Sequence, residues 1–430
     1  MAEVFPFRGL RYAETDLSAL ICPPYDVISP AEQQELYRRS PLNVVRLECG
    51  ESGPDDGPSD NRYTRAATTL REWLDRGVLV RDPSESFYVH EQQFEHDGRR
   101  LTRRGLLARV RLHDWDEGPI RPHEHTLSEP KEDRLQLLQA TRLNISPIMA
   151  LYRDEDARVR GAIEAAGEAR PLATARSEGE EHSVRRIDDG ATTGSLAGLI
   201  REKTLYVVDG HHRYETALAY LKERRSRTWT GDEPENFVLM ALVAREDPGL
   251  LALPTHRLLK DVSVPDDLPA RLERSFVVED VSDVARGWPE LRSLLLAKSA
   301  KRAAFALATE SGQLFVAHVR DTASIADAMP ADTPASWRSL DAAVLQEVVL
   351  RGILSFDQQR AAADGSLAFT HDADEALRLV GSGSYRLAFL LRPTPVDGVL
   401  ALADAGERMP QKSTYFHPKL PAGLVMNPLD

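Results

Sequence analysis

The residues in this chain best suited to chemistry are packed into one short run, Asp209-Gly-His-His-Arg213. Gly210 lets the backbone approach a ligand closely, and His211, His212 and Arg213 add donors and positive charge. Where such a run opens a helix, the first N–H groups lack internal partners and the dipole is positive. That combination makes an anion site, with phosphate as its natural occupant. Phosphoryl transfer needs cations to spread charge and a group to move a proton or position a nucleophile. Arg213 could neutralise charge, His211 or His212 could protonate a leaving oxygen, and Asp209 could act as base or magnesium ligand.

The flanking residues supply the elements that hold this run. Leu205 to Val208 is a short apolar stretch with the β-branched content of a buried strand. From Tyr214 the period changes: Tyr214, Ala217, Leu218 and Leu221 fall on one stripe of a helix. A strand and a helix therefore flank a turn holding Asp209, Gly210, His211, His212 and Arg213.

A second dense stretch runs from Arg121 to Arg134 and contains His123, Glu124, His125, Lys131 and Arg134. Pro130 lies near a helix start, and Glu132 to Thr141 reads as the helix, with Leu135, Leu138 and Thr141 on its buried side. Lys131 and Arg134 then lie near the helix entry, and Glu124 is a further candidate base or magnesium ligand. The third stretch is the tail, Glu407 to Lys419. Lys412, Ser413 and Thr414 are phosphate-compatible donors, but no glycine loop precedes them as in a P-loop. Tyr415 and Phe416 give the tail apolar area with which to dock, so it is expected to return to the site.

Several of these runs resemble the motifs of a bacterial and archaeal family known as domain of unknown function 1015. They are Asp209-Gly-His-His-Arg-Tyr-Glu-Thr-Ala217, Pro6-Phe-Arg-Gly-Leu-Arg11, Pro23-Pro-Tyr-Asp-Val-Ile28, His123-Glu-His-Thr126 with Lys131 and Asp133-Arg134, Asn144-Ile-Ser-Pro147 and Met409-Pro-Gln-Lys-Ser-Thr-Tyr-Phe416. The resemblance covers nearly the whole chain and implies no established activity. Locally, Gly210-His-His-Arg213 is similar to the Gly-x-x-Arg turn of the ParB/sulfiredoxin superfamily. That likeness implies nucleotide phosphates held by backbone N–H groups and Arg213. Sulfiredoxins carry a cysteine where this chain has His211, and ParB proteins usually carry an acidic residue after the glycine. The free-serine kinase branch is the closest in this turn.

The leading expectation is thus phosphoryl transfer or phosphate-ester chemistry on a small amino-acid-like metabolite, with Mg²⁺ and a nucleoside phosphate as cofactors. Serine kinase action or hydrolysis of phosphoserine would both fit. A metal-dependent hydrolase is the alternative, since His123 and His125 share a face if extended and could join His211, His212 and Asp209; no HExxH run supports it. A non-catalytic nucleotide-binding switch is the third reading.

Composition narrows the partners. Lys+Arg 54 against Asp+Glu 67 gives a net charge of -13, which argues against broad nucleic-acid binding. Cys22 and Cys49 form no metal or disulfide framework, no run approaches membrane-span length, and the N-terminus lacks a secretory core. A cytoplasmic protein is expected, with a nucleotide or small phosphorylated metabolite as partner and no membrane.

The 430 residues allow a mixed α/β or α+β fold in two or three domains. Residues 1–260 are expected to hold a ParB/sulfiredoxin-like phosphate-binding core. Residues 261–405 would form an additional α/β scaffold, and 406–430 the returning tail. Within this plan, a helix follows Pro30, Asn43 to Leu47 reads as a strand, and a hairpin turns at Asp97-Gly98. Glu155 to Glu168 reads as a helix, and Ala173 to Gly198 as a polar boundary segment. His256 and Arg257 follow a proline-set turn and are further site candidates.

Overall fold

The structure is a computed structural model that describes residues 1–125, 129–165, 170–298, 302–356, 361 and 365–430. It is a mixed α/β fold made of two compact units. The first comprises Met1–Pro122, Thr126–Leu251 and Pro418–Asp430; the second comprises His123–His125 and Ala252–His417.

The first unit is built on a nine-stranded mixed sheet. In spatial order its strands are Ile120–Pro122, Leu205–Asp209, Ile148–Tyr152, Phe237–Ala244, Arg99–Arg111, Phe87–His96, Glu180–Ile187 and Ala173–Ser177, with Val4–Phe5 beside Arg99–Arg111. Phe237–Ala244 is buried at every residue, as expected of a central strand covered on both faces. Leu106, Ala108 and Val110 alternate with their neighbours to meet Leu196 and Ile200 of helix Gly190–Arg201, and Tyr214 and Ala217 of helix His211–Arg224. Tyr214 pins that last helix. Its hydroxyl accepts from His113 N at 3.0 Å and donates to His113 O at 2.8 Å, and its ring stacks on Trp115 at 4.1 Å. Both polar demands of a buried phenol are met while the ring adds apolar area.

The tail residues of this unit are part of its core. Leu420, Ala422, Leu424, Val425, Met426 and Leu429 are all buried. Asn427–Pro428 pairs with Leu143–Asn144, and Leu429 packs with Leu138 and Tyr220.

The second unit carries a six-stranded antiparallel sheet in the order Phe276–Asp280, Leu314–Val319, Ala304–Thr309, Leu387–Leu390, His256–Leu259, Leu367–Thr370. Trp288–Lys298 and Ala373–Gly381 pack through Leu291, Leu295, Ala376 and Val380 on one face. The other face meets Asp341–Val344, the π-helical run Leu345–Ile353 and helix Val396–Asp404. Among the described residues, no helix is long and apolar enough to cross a membrane.

Several local expectations are corrected. Asn43 to Leu47 is not a strand. The Asn43 side chain accepts from Val45 N at 2.9 Å and donates to the carbonyls of Ala19 and Ile21, which starts the short helix Val45–Glu48. The polar segment from Ala173 to Gly198 is strand, hairpin and helix, because its inward positions Ala173, Ala175, Val184, Ile187 and Leu196 are buried. The helix expected from Glu155 to Glu168 is described as Arg158–Ala165, and residues 166–169 lie outside the described residues, as does Thr126 of the His123 to Thr126 motif. The Asp97-Gly98 hairpin forms as expected, with φ of 49° and 69° at its two turn residues.

Candidate functional site

Strand Leu205–Asp209 ends in the carboxylate of Asp209, and helix His211–Arg224 starts after a single residue. That residue, Gly210, has φ 87° and ψ 29°, the left-handed region that favours glycine. The expected turn is thus tighter than its sequence suggested: His211, His212 and Arg213 are the first helical turn rather than a loop. The residue at the N-cap is this glycine, so the cap itself offers no side-chain acceptor to the first helical turn.

Arg213 folds back over this opening. Its Nη2 donates to Asp209 Oδ2 at 2.8 Å and its Nη1 to Pro147 O at 2.7 Å. Its Nε is buried without a partner. The other oxygen of Asp209 is held by the ammonium of Lys419. Burial pushes the Asp209 carboxyl up, but Lys419, Arg213 and the nearby His211 outweigh it and hold the group well below the usual carboxylate range. Asp209 is therefore a fixed anion between two cations, one on each oxygen, at the residue the sequence also offered as a magnesium ligand.

Arg134 reaches the same cleft. Helix Glu129–Thr141 packs along helix His211–Arg224, where Thr216 Oγ1 donates to Lys131 O at 3.4 Å and Lys131 pairs with Glu215. The buried Arg134 guanidinium donates to Asp133 Oδ2 at 2.7 Å and to Glu48 O at 2.7 Å, and lies 4.0 Å above the Tyr25 ring. Burial pushes the Tyr25 phenol up while Arg134 and Arg213 both pull it back, which places its ring in the field of the two guanidiniums. Glu48, Arg134, Ser146, Arg213 and Thr216 line one small cavity of about 50 Å³. Ser146 Oγ donates to Glu48 Oε1 at 2.8 Å, and Asn144 Oδ1 accepts from Leu239 N at 3.0 Å. The runs containing Tyr25, Arg134, Asn144 to Pro147, and Asp209 to Arg213 thus converge within the first unit.

The other expected residues lie in the second unit. Glu124 Oε1 accepts from Lys412 N at 2.6 Å, and His123 Nε2 stands 2.9 Å from Thr414 Oγ1. Ser413 Oγ donates to Pro410 O, and Phe416 is buried. Arg257 is buried in the same unit; burial pushes its guanidinium down to about 10 while Glu124 pulls it back up.

Lys419 was not singled out by sequence reasoning. It sits in the His417-Pro-Lys419 end of the tail motif, and Pro418 before it was the available signal, since proline stiffens the strap that presents it.

The family model for DUF1015, described as a protein of unknown function, matches residues 4–343. None of the curated proteins matches the chain in sequence. Among solved structures, a conserved hypothetical protein from Pyrococcus furiosus is 14% identical, covering 74% of this chain and 93% of its own, with a TM-score of 0.37. A free serine kinase in complex with ADP is 12% identical over 73% of this chain and 87% of its own, with a TM-score of 0.36. SbnI from Staphylococcus aureus, truncated at its C-terminus, is likewise 12% identical over 73% and 87%, with a TM-score of 0.36.

Proposed function

We take membership of the DUF1015 family, to which this chain belongs, as the premise, and propose that the turn from Gly210 to Arg213 binds the phosphate of a nucleotide. On this reading the protein transfers a phosphoryl group to or from a small amino-acid-like metabolite, with free serine as the first candidate. The finer fold reading, a ParB/sulfiredoxin-like core around this turn, belongs to the same proposal and rests on the likeness of Gly210-His-His-Arg213 to the Gly-x-x-Arg turn.

One observation carries the proposal. A guanidinium and an ammonium are anchored on one carboxylate at the start of a helix whose N-cap is glycine. Cations are unfavourable at a helix N-terminus, where the dipole is already positive. Asp209 compensates in part, and a bound phosphate would supply the remaining negative charge.

The roles follow from the positions. Arg213 and Lys419 would neutralise phosphate charge, with Asp209 orienting both. Arg134 would extend the cationic wall, and Lys131 lies one turn earlier on the same helix. His211 or His212 would move a proton. Glu124 as a base and Lys412, Ser413 and Thr414 as phosphate donors are proposals for the second unit by itself. Among the described residues no three His, Cys, Asp or Glu side chains could together hold a metal ion. Mg²⁺ would enter as the counter-ion of the nucleotide phosphates, and no step is routed through it.

Phosphorus NMR of the protein mixed with ATP and serine, and separately with phosphoserine, tests the reaction. New phosphoserine or released phosphate supports it. Nucleotide binding without any turnover would favour the switch reading instead.

A further inference from the structure

We propose that Arg103 and Gln92, braced by Glu180, form a buried clamp that holds the Pro418–Lys419 backbone and so presents the Lys419 ammonium to Asp209 and the phosphate site. This rests on the phosphate-binding reading above, and makes the three side chains positioning residues that act through Lys419.

The clamp is built by strand register. Arg103 and Gln92 are Cα partners across the pair Arg99–Arg111 and Phe87–His96. Gln92 and His182 are partners across the next pair. One row of side chains therefore crosses three neighbouring strands. Arg103 is 1% exposed and Gln92 0% exposed, so both give up solvation to stand there. Arg103 Nη2 donates to Gln92 Oε1 at 2.5 Å and to Pro418 O at 2.6 Å. Gln92 Nε2 donates to Glu180 Oε2 at 2.6 Å and to Lys419 O at 3.1 Å. Two consecutive carbonyls of the strap are thus held from the sheet. Their capture fixes the backbone from which the Lys419 side chain reaches Asp209.

The chemistry of the row points to placement rather than packing. A buried arginine is expensive to desolvate, and apolar side chains of similar volume would fill the same space at least as stably. Its donors are instead directed at a glutamine and a backbone carbonyl, which fixes one geometry. The row continues through His182, whose Nε2 is 3.4 Å from Glu180, to His90, whose Nε2 is 3.1 Å from His182 Nδ1. Burial pushes His182 down to about 4 and lowers His90 as well, so near neutral pH both rings are uncharged. Arg103 carries the positive charge of the row, and Glu180, pushed up to about 7 by burial, is ionised only in part near neutral pH.

Reductive methylation of Lys419 in the ligand-free protein, read by mass spectrometry, tests the clamp directly. Gln92→Met keeps the volume and removes three hydrogen bonds, those with Arg103, Glu180 and Lys419 O. It should speed Lys419 methylation about tenfold, and Arg103→Lys should do so less, since one donor remains. Unchanged methylation in a folded Gln92→Met protein would overturn the clamp, whether or not phosphates bind. Titration with inorganic pyrophosphate supplies the second reading. Gln92→Met should weaken it about tenfold alone, yet less than about twofold when Lys419→Met is already present. Equal losses in both backgrounds would overturn action through Lys419. Failure of the wild-type protein to bind pyrophosphate would instead count against the phosphate-binding reading, and the methylation result would still decide the clamp.

Discussion

The guanidinium of Arg213 lies directly over the Cα of Gly210: a methyl group at residue 210 would stand 2.9 Å from Arg213 Nε and 3.0 Å from its Cζ. The turn and its arginine are therefore one unit. Gly210→Ala would meet both the left-handed backbone penalty and this overlap. It should lower stability by about 1–3 kcal/mol and weaken nucleotide binding by displacing Arg213. Chemical denaturation and calorimetry on the same variant read both effects.

Arg213→Ala should weaken nucleotide binding by about 1.5–3 kcal/mol, the range for charged hydrogen bonds. Arg213→Lys should recover only part of it, because one ammonium cannot reach Asp209 Oδ2, Pro147 O and a phosphate together. Isothermal titration of ATP against the three proteins measures the series.

Asp209 sets an acid limit on stability. Its folded carboxyl is held below the ordinary range, first against burial and then by Lys419, Arg213 and His211. The sign follows: its contribution is fully present above the unfolded value of about 3.9 and is lost as pH falls toward the depressed folded value. Asp209→Asn should remove that acid dependence and, by taking the carboxylate away from Arg213 and Lys419, should destabilise the protein by about 3 kcal/mol at neutral pH. Urea unfolding across the acid range checks both.

Glu180 works in the opposite direction. Burial pushes its carboxyl from 4.5 up to about 7, with Gln92 and Arg103 pulling it back and Glu178 adding to the rise. Between those values the folded protein binds the extra proton. Stability should therefore fall as pH rises from about 4.5 to about 7, by about 3 kcal/mol in all. Glu180→Gln keeps an acceptor for Gln92 and should flatten that slope. A slope unchanged by this substitution would contradict the assignment.

Much of the site was legible because its elements are local. The period change after Asp209 located the strand, the glycine and the helix, and Phe416 is buried as its apolar character suggested. What escaped is set by long-range contacts. Asn43 to Leu47 has strand-like residues, yet the Asn43 side chain satisfies three backbone groups and turns the chain into a helix. Ala173 to Gly198 alternates too weakly to read as strands until its neighbour Phe87–His96 supplies the pairing. Lys419 stands 210 positions from Asp209, and Pro418 marks a stiff strap there without saying which carboxylate the lysine meets. The Gln92–Arg103 row is invisible for the same reason, since polar residues in a strand usually face water.

If Arg213 and Lys419 complete an anion cradle at the start of helix His211–Arg224, calorimetric titration of ATP into the full chain and into Lys419→Met will show it. Saturable one-site binding should weaken about tenfold or more in Lys419→Met and become less salt-dependent. Identical ATP affinity in the two folded proteins, or no saturable binding to the wild type, would contradict it.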